Sequence, residues 1–381
     1  MLVRYLLPLT TILLLTSSCQ EATDTQTTDQ TNQPISLKSA FQDNFTVGAA
    51  LGGEHINGTN TDAQELIIRE FNTITPENVM KWTYIHPEPD SFFFDMADKY
   101  VALGQANNMH VVGHTLVWHS QIAEWMNEVQ DSAVMAQYLT NHIQTIASRY
   151  KGKIHTWDVV NEAFNEDGSY RESNFYQVMG DSYLSLAFKL AAEADPTAKL
   201  VYNDYNLWKP EKREGVIQLV KKLQSEGIKI DGIGMQAHYS LVGPEVEEVE
   251  NSIVAFAALG VEVMITELDV TALPNPWDLE GAEVSQNFEG SPFMNPYPDA
   301  LPDSMQVQLA DRYEDLFKVF LKHQDKISRI TFWGVNDGHS WLNNWPIEGR
   351  TNYPLLFDRQ YAIKPAYERV IALVNNHQAQ N

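Results

Sequence analysis

Short apolar runs alternate with longer amphipathic segments along the chain from about residue 35 onward. Eight of the apolar runs are predicted to be β-strands, and they cover residues 45–52, 73–78, 110–118, 155–162, 199–206, 232–239, 261–269 and 330–337. Between them, apolar residues recur at the spacing of one α-helix face, for example in residues 182–194, 211–227 and 245–260. Eight alternations of strand and helix predict an α/β fold whose parallel sheet closes as a (β/α)8 TIM barrel.

One long segment interrupts this alternation. Residues 272–303 are rich in proline and acidic residues, and they follow the seventh predicted strand directly. Loops longer than ~15 residues inside a compact domain are usually functional or disordered. We expect this insertion to leave the C-terminal rim of the barrel, where it either shapes a binding cleft or lies loosely on the surface. An open, doubly wound sheet is the alternative architecture, but no G-x-G-x-x-G follows the first strand.

Two glutamates stand at the carboxyl ends of predicted strands, Glu162 as the last residue of the fourth and Glu267 near the end of the seventh. A carboxylate at the end of an apolar run is costly to bury unless it faces water, a partner or a substrate. All strand ends of a parallel barrel open on one face, so these acids are expected to converge on one pocket. The same ends carry further polar and aromatic candidates: Glu77, Asn78, Lys81, His114, Trp118, His119, Asn161, Asn203, Tyr205, Gln236, His238, Asp269, Trp333 and Trp341.

Two carboxyl groups among such side chains are typical of glycoside hydrolysis, in which one donates a proton and the other attacks or activates water. Indole rings and neutral hydrogen-bonding groups suit sugars, whereas a salt bridge at the rim is the alternative for either acid alone. Metal binding is the competing interpretation for the histidines, which are His114, His119, His155 and His238. No H-E-x-x-H occurs, so we predict no metal site. The sequence also lacks a phosphate-binding G-x-x-x-x-G-K-[ST] and a G-x-S-x-G serine motif.

The charge balance narrows the partners. The chain holds 50 acidic and 26 basic residues, which gives a formal net charge of −24. A surface this acidic repels nucleic acid and anionic membranes, so neither is expected to bind.

Residues 1–18 are predicted to be a lipoprotein signal peptide. Arg4 precedes an apolar stretch that is too short to span a membrane. Small residues then precede Cys19, the single cysteine, as in a lipobox, although Thr16 stands where leucine is usual. Lipidation of Cys19 would make the protein an exported, membrane-anchored lipoprotein at the outer membrane or the cell surface. A soluble secreted protein is the alternative.

The domain boundaries follow from composition. Residues 19–36 are mainly Thr, Gln and Asp and predict a flexible tether. Residues 37–378 contain all eight strands and predict a single barrel domain.

Six motifs of this domain together resemble glycoside hydrolase family 10, the endo-β-1,4-xylanases. In chain order they are ENVMKW (77–82), GHTLVWH (113–119), WDVVNEAF (157–164), YNDYN (202–206), MQAHY (235–239) and ITELDV (265–270). The resemblance implies retaining hydrolysis of xylan or xylo-oligosaccharides without a cofactor. It leaves the oligomeric state and the effect of the insertion undetermined.

The resemblance also implies roles for individual residues. Glu162 is expected to be the general acid/base and Glu267 the nucleophile, with Asp269 supporting the site from behind. The remaining residues are expected to bind substrate: Glu77, Asn78, Lys81, His114, Trp118, Asn161, Tyr205, Gln236, His238, Trp333 and Trp341. Two alternatives stay open, namely a barrel glycosidase for another β-1,4-glycan and a catalytically silent xylan-binding lipoprotein.

Overall fold

The structure of the protein is a computed structural model that describes residues 1–2, 35–279 and 281–378. The predicted signal sequence, Cys19 and most of the tether lie outside the described residues. Among the residues that are described, no helix combines the length and the apolar character that a membrane span requires.

The described strands form a closed, parallel barrel. The strands are β1 (Thr46–Leu51), β2 (Thr73–Pro76), β3 (His110–Trp118), β4 (Thr156–Asn161), β5 (Lys199–Asp204), β6 (Gly232–Met235), β7 (His238–Ser240), β8 (Glu262–Thr271) and β9 (Ile327–Phe332). The ladder runs in the order β6-β5-β4-β3-β2-β1-β9-β8, and a pairing of β6 with β8 closes the ring. The predicted (β/α)8 barrel is confirmed.

Helices surround this barrel and bury one face against it. They are α1 (Leu37–Ala40), α2 (Gly53–Asn57), α3 (Thr61–Glu70), α4 (Trp82–Ile85), α5 (Asp95–Ala106), α6 (Glu124–Asn127), α7 (Ser132–Arg149), α8 (Asn174–Met179), α9 (Ser182–Ala194), α10 (Pro210–Ser225), α11 (Val246–Ala257), α12 (Asp303–Lys322) and α13 (Pro365–Gln378). Short 3₁₀ helices cover Pro292–Met294, Asp337–His339 and Trp341–Asn343.

Most predicted strands differ from those observed by one or two residues at an end, and two differ by more. The sixth run, 232–239, is interrupted at Ala237, whose positive φ of 65° turns the chain out of the strand. The residues beyond it form the short β7, which pairs with the outer end of β8. The eighth strand begins at Ile327, earlier than predicted, because polar residues at 326 and 328 hide its first apolar position.

The barrel ladder is irregular close to its open end. Register shifts occur between His114 and Val117 in β3, and between Ile265 and Leu268 in β8. Such irregularities change the direction in which neighbouring side chains point, and they are common beside active sites. They lie in the same strands that carry several of the predicted site residues.

The insertion after β8 packs against the loop that follows β9. The backbone N–H of Phe288 donates to the carbonyl of Pro346 (2.9 Å). The hydroxyl of Tyr353 donates to the carbonyl of Tyr297 (2.7 Å), and the N–H of Thr351 donates to Oδ1 of Asn295 (3.1 Å). These contacts place the insertion at the mouth of the barrel.

Candidate active site

A cavity of about 430 Å³ opens at the carboxyl ends of the barrel strands. Twelve of the predicted residues line it: Glu77, Asn78, Lys81, His114, Trp118, Asn161, Glu162, Gln236, His238, Glu267, Trp333 and Trp341. Residues that the sequence did not single out also contribute, namely Ser120, Gln121, Ala282, Val284, Ser285 and Trp345. Asp269 and Tyr205 lie outside this lining.

Glu162 follows the last residue of β4 and has a left-handed backbone conformation, with φ of 57°. This conformation is unfavourable for a residue with a side chain, by roughly 1–3 kcal/mol. The surrounding structure holds it in place, because its N–H donates to the carbonyl of Asn203 (2.9 Å) and Nε of Arg171 donates to its own carbonyl oxygen (3.0 Å). The strand therefore ends abruptly at Glu162, and the carboxylate lines the cavity.

Three uncharged groups donate to the Glu162 carboxylate. Nε1 of Trp118 lies 2.8 Å from Oε2. Nε2 of Gln236 and Nδ2 of Asn161 lie 2.8 Å and 3.1 Å from Oε1. Glu162 is thus oriented from β3, β4 and the end of β6 by neutral donors.

Glu267 lies inside β8 and has a different set of partners. Nδ2 of Asn203 donates to its Oε1 (2.7 Å). Its Oε2 lies 3.2 Å from Nε2 of His238, whose Nδ1 forms an ion pair with Asp269 (3.0 Å). The nucleophile candidate therefore stands at the end of a carboxylate–imidazole–carboxylate series.

The charges in this series fix the protonation of its members. Burial lowers the pKa of His238, but the charge and hydrogen bond of Asp269, with those of Glu267, outweigh it and raise the pKa to about 10. Burial alone would raise the pKa of Glu267, yet the hydrogen bond from His238, the charges of His114 and His238, and the hydrogen bond from Asn203 hold that pKa below its ordinary value. At neutral pH the pair is an imidazolium next to a carboxylate.

Side-chain amides connect the two glutamates. Asn203 donates from the same Nδ2 to Glu267 and to Oδ1 of Asn161 (2.8 Å), while its own Oδ1 accepts from the hydroxyl of Thr266 (2.6 Å). Because an ionised carboxylate only accepts, Glu267 fixes which end of the Asn203 amide is the nitrogen. The relative positions of both carboxylates are thereby set by buried hydrogen bonds.

The side of the cavity next to β2 is lined by charged groups that are buried together. Nζ of Lys81 donates to Oδ1 of Asn78 (3.1 Å) and Oε1 of Gln121 (2.7 Å), and it lies 4.8 Å from the Trp118 ring centre. Burial lowers the pKa of Lys81, against the opposing charges of Glu77 and both central glutamates. Burial raises the pKa of Glu77, against the charge of Lys81.

Indole rings that follow β9 cover another part of the cavity wall. Trp341 stacks on Trp345 with ring centres 4.4 Å apart, and Nε1 of Trp341 donates to Oδ2 of Asp269 (2.8 Å). The His114 ring meets Trp333 edge-on at 5.4 Å. Flat apolar faces beside hydrogen-bonding groups are suited to a sugar ring. Trp345 is the member of this wall that the sequence analysis missed, since it lies in a loop far from any predicted strand end.

Tyr205 is placed differently from the other predicted residues. Its side chain is buried, its hydroxyl accepts from Nη2 of Arg171 (2.7 Å), and Nζ of Lys212 lies 3.6 Å from its ring centre. It lines a second cavity, of about 560 Å³, together with Arg171 and Glu283 of the insertion. Neither of these two charged residues was singled out from the sequence.

The four histidines considered for a metal site each have separate partners. Nδ1 of His114 lies 2.9 Å from Asp158, His119 lies 3.3 Å from Glu283, Nδ1 of His155 accepts the N–H of Val111, and His238 pairs with Glu267 and Asp269. They do not converge on one point.

A different trio, Glu54, His55 and His339, brings ligand atoms within 4.8 Å of one another in the described part of the chain. Nδ1 of His55 accepts the N–H of Gly52 (3.1 Å), so the neutral ring carries its proton on Nε2. Burial is the main cause that lowers the pKa of His55, to about 4, which keeps the ring neutral at pH 7. A protonated Nε2 has no lone pair for a metal, so this arrangement disfavours metal binding.

The known proteins that this chain resembles are glycoside hydrolases, the class of enzyme that the geometry of the site suggests. Residues 36–373 match the model of glycosyl hydrolase family 10. The chain is 44% identical to endo-1,4-beta-xylanase A of Xylanibacter ruminicola, over 90% of this chain and 94% of that protein. It is 41% identical to an endo-1,4-beta-xylanase of Geobacillus stearothermophilus, over 88% of this chain and 98% of that protein.

Solved structures also superpose on this chain over most of its length. A GH10 endoxylanase retrieved from sugarcane soil metagenome superposes with a TM-score of 0.86 at 45% identity, covering 88% of this chain and 99% of that chain. A mutant solved in complex with xylotriose superposes with a TM-score of 0.78 at 34% identity, covering 88% of this chain and 99% of that chain.

Proposed function

Since the chain belongs to glycosyl hydrolase family 10 and hydrolyses β-1,4-xylosidic bonds within xylan, we propose that Glu267 is its nucleophile and Glu162 its general acid and base. The observation that carries this division is the pair of carboxylates that face one cavity with unlike partners. Glu267 contacts an imidazolium, whereas the donors to Glu162 are neutral.

In the first step, a carboxylate oxygen of Glu267 attacks the anomeric carbon of the sugar at the cleaved bond. The bond to the leaving sugar breaks, and Glu162 gives its proton to the departing oxygen. His238 keeps Glu267 ionised and oriented for this attack, because the imidazolium donates to Oε2.

In the second step, water takes the place of the leaving sugar. Glu162, now a carboxylate, accepts a proton from this water as the water attacks the anomeric carbon. The ester bond to Glu267 breaks, and two inversions together retain the β configuration.

The remaining lining residues are proposed to hold the sugar chain. Lys81, His114, Trp118, Gln236, Trp333 and Trp341 surround the sugar at the cleaved bond, and Glu77 with Asn78 bind the next sugar on the non-reducing side. Asn161 is proposed to hydrogen-bond the 2-hydroxyl, a contact that strengthens toward the oxocarbenium-like transition state.

The test is product analysis on linear xylan, mannan and soluble cellulose with the purified protein. We expect short xylo-oligosaccharides from xylan, with the new reducing ends first appearing as the β anomer by NMR. Cleavage of mannan or cellulose but not of xylan would show that xylan is not the substrate. Binding of xylan without cleavage would instead support the silent xylan-binding lipoprotein.

We also propose that the protein is a lipoprotein anchored through Cys19 at the outer membrane or cell surface. Support comes from Arg4, the short apolar stretch after it and the small residues before Cys19. Acidic Glu21 and Asp24, soon after Cys19, are compatible with surface display.

The anchor is tested with Cys19→Ala. Fatty-acid labelling of the wild-type chain should be lost in the variant, and protease added to intact cells should degrade the wild-type protein. Labelling that persists in Cys19→Ala would contradict the anchor at Cys19. Complete protection from protease would contradict exposure at the cell surface.

A further inference from the structure

A narrow part of the insertion separates two cavities. Ala282, Val284 and Ser285 line the catalytic cavity. Gly281 and Glu283, which alternate with the first two, line the second cavity beside Tyr205. Residues 281–285, here called the partition, are therefore a wall about one residue thick between the two glutamates and the Tyr205 cavity.

The partition lies directly against Tyr205. A Cβ atom added to Gly281 would come within 2.4 Å of Cε2 of the Tyr205 ring, so only glycine allows the chain to approach this closely. Its φ of 57° is also in the left-handed region that glycine adopts readily. One part of the aromatic ring is thereby covered by backbone.

Glu283 attaches the partition to the other side of the barrel mouth. Its Oε2 accepts from Nη1 of Arg171 (2.6 Å) and lies 3.3 Å from Nε2 of His119. Hydrogen bonding and charge from His119, with the charge of Arg171, outweigh burial and lower the pKa of Glu283 to about 2. The carboxylate stays ionised across the neutral range, so its ion pair with Arg171 persists there.

The two ends of the attachment belong to opposite parts of the barrel. The insertion leaves β8 and packs on the loop after β9, whereas His119 follows β3 and Arg171 follows β4. A chain segment that joins these loops crosses the open end of the cleft. The second cavity beside it lies at the ends of β4 and β5, separated in the ring from β2, which leads into Glu77 and Asn78. Since Glu77 and Asn78 are proposed to bind the non-reducing side, the partition lies on the leaving-group side under the proposed function.

We propose that the partition determines substrate specificity: it ends the leaving-group side of the cleft at Ala282 and Val284, and Glu283 holds it closed. This inference rests on the proposed function. Substrates with a short leaving group fit the closed cavity. A long xylan chain binds productively only when the partition is displaced, so its apparent affinity falls by the fraction of molecules that are open.

The test compares two substrates in two variants. An aryl β-xylobioside has a small leaving group, and xylohexaose labelled at its reducing end reports where the chain is cut. Glu283→Ala removes the attachment and retains Arg171, which still donates to the Glu162 carbonyl and to Tyr205. Glu289→Ala removes the same carboxylate from an exposed position of the same insertion and is the matched control.

In the wild type we expect xylohexaose to be cut close to its reducing end. Glu283→Ala should leave kcat/KM for the aryl substrate unchanged and raise kcat/KM for xylohexaose about tenfold, the scale of one lost charge-assisted hydrogen bond. Its cut sites should move toward the middle of the chain, so that longer fragments leave. Glu283→Gln keeps the size of the side chain but removes its charge. It should also raise kcat/KM for xylohexaose and move the cut sites toward the middle of the chain.

Identical cut sites and identical substrate ratios in the wild type and Glu283→Ala would overturn the proposal. A change of equal size in Glu289→Ala would do so as well, since it would assign the effect to net charge. A wild-type protein inactive on both substrates would instead contradict the proposed function, so the two failures are distinguishable.

Discussion

The side chains that hydrogen-bond Glu267 and those that hydrogen-bond Glu162 differ in charge, although both residues are glutamates facing one cavity. Around Glu267, His238 is a cation held by Asp269. Around Glu162, Trp118 and the neighbouring amides donate hydrogen bonds without a charge of their own. The same side chain is therefore given two environments by residues on different strands.

This difference matches what the two steps require. A nucleophile must be ionised when the substrate arrives, and an adjacent imidazolium favours the ionised form. An acid/base residue must gain and lose a proton within each cycle, and the side chains that donate to the Glu162 carboxylate carry no charge. Neighbouring residues, and not the glutamates alone, thus assign the roles.

Among the substitutions that test these two environments, replacement of the nucleophile should reduce activity most. Glu267→Ala should lower kcat on xylan by about 10⁴-fold or more, as expected when a covalent nucleophile is lost. Added azide should restore cleavage of an aryl β-xylobioside and yield the α-xylosyl azide, because the anion enters from the vacated side with one inversion. NMR of the product provides the measurement.

Glu267→Gln is the control, since it retains the size of the side chain and leaves no room for azide. We expect it to be as inactive as the alanine variant and not to be rescued. Recovery of a β-azide from Glu267→Ala would mean that the roles of the two glutamates are reversed.

Removal of the acid/base residue should have the next largest effect. Glu162→Ala is expected to lower kcat/KM on xylan by about 10²–10⁴-fold, the usual contribution of general acid–base catalysis. Aryl leaving groups of low pKa need little protonation, so their first step should be slowed far less. Rates measured with a series of aryl xylobiosides check this dependence.

Azide distinguishes this variant from the preceding one. In Glu162→Ala it should attack the glycosyl-enzyme from the side that water normally uses and give the β-azide, after two inversions. Equal losses for xylan and for all aryl substrates would show that Glu162 is not the proton donor.

Much of this half of the site could be predicted from the sequence. The barrel and the convergence of Glu162, Glu267 and His238 follow from residues at strand ends, because parallel strands open on one face. Each of these side chains lies within a motif of a few residues, so it can be recognised without knowing which distant parts of the chain meet. Asn203 was visible in the same way, as a polar residue in an apolar strand.

The leaving-group side could not be predicted in this way. Arg171 and Glu283 are 112 residues apart, and no local pattern shows that they meet. The position of Tyr205 outside the catalytic cavity depends on the insertion that covers it, which a strand-end location alone does not indicate. Likewise, Ala237 interrupts a strand through its backbone conformation although its side chain fits an apolar run.

His238→Asn tests whether the positive charge of His238 keeps Glu267 ionised and so distinguishes it from Glu162. Without its hydrogen bond and charge, the pKa of Glu267 should rise, so Glu267 is protonated at higher pH than in the wild type. The acidic limb of the kcat/KM profile should therefore move to higher pH, with a loss of about 10–100-fold at the optimum as the carboxylate also loses its orientation. An unshifted acidic limb would exclude this role for His238.

The smallest effect is expected from Asp269→Asn, which removes a charge from behind the cation but keeps the side-chain shape. Asp269 is the largest cause that raises the pKa of His238, so the substitution should lower that pKa from about 10. Stability from a raised histidine pKa is fully present below the ordinary value of 6.5 and is lost as the pH rises through the folded value. Alkaline unfolding should thus begin at lower pH in the variant. Thermal unfolding of the wild type and the variant across pH measures this shift, and an identical pH dependence in both proteins would exclude this role for Asp269.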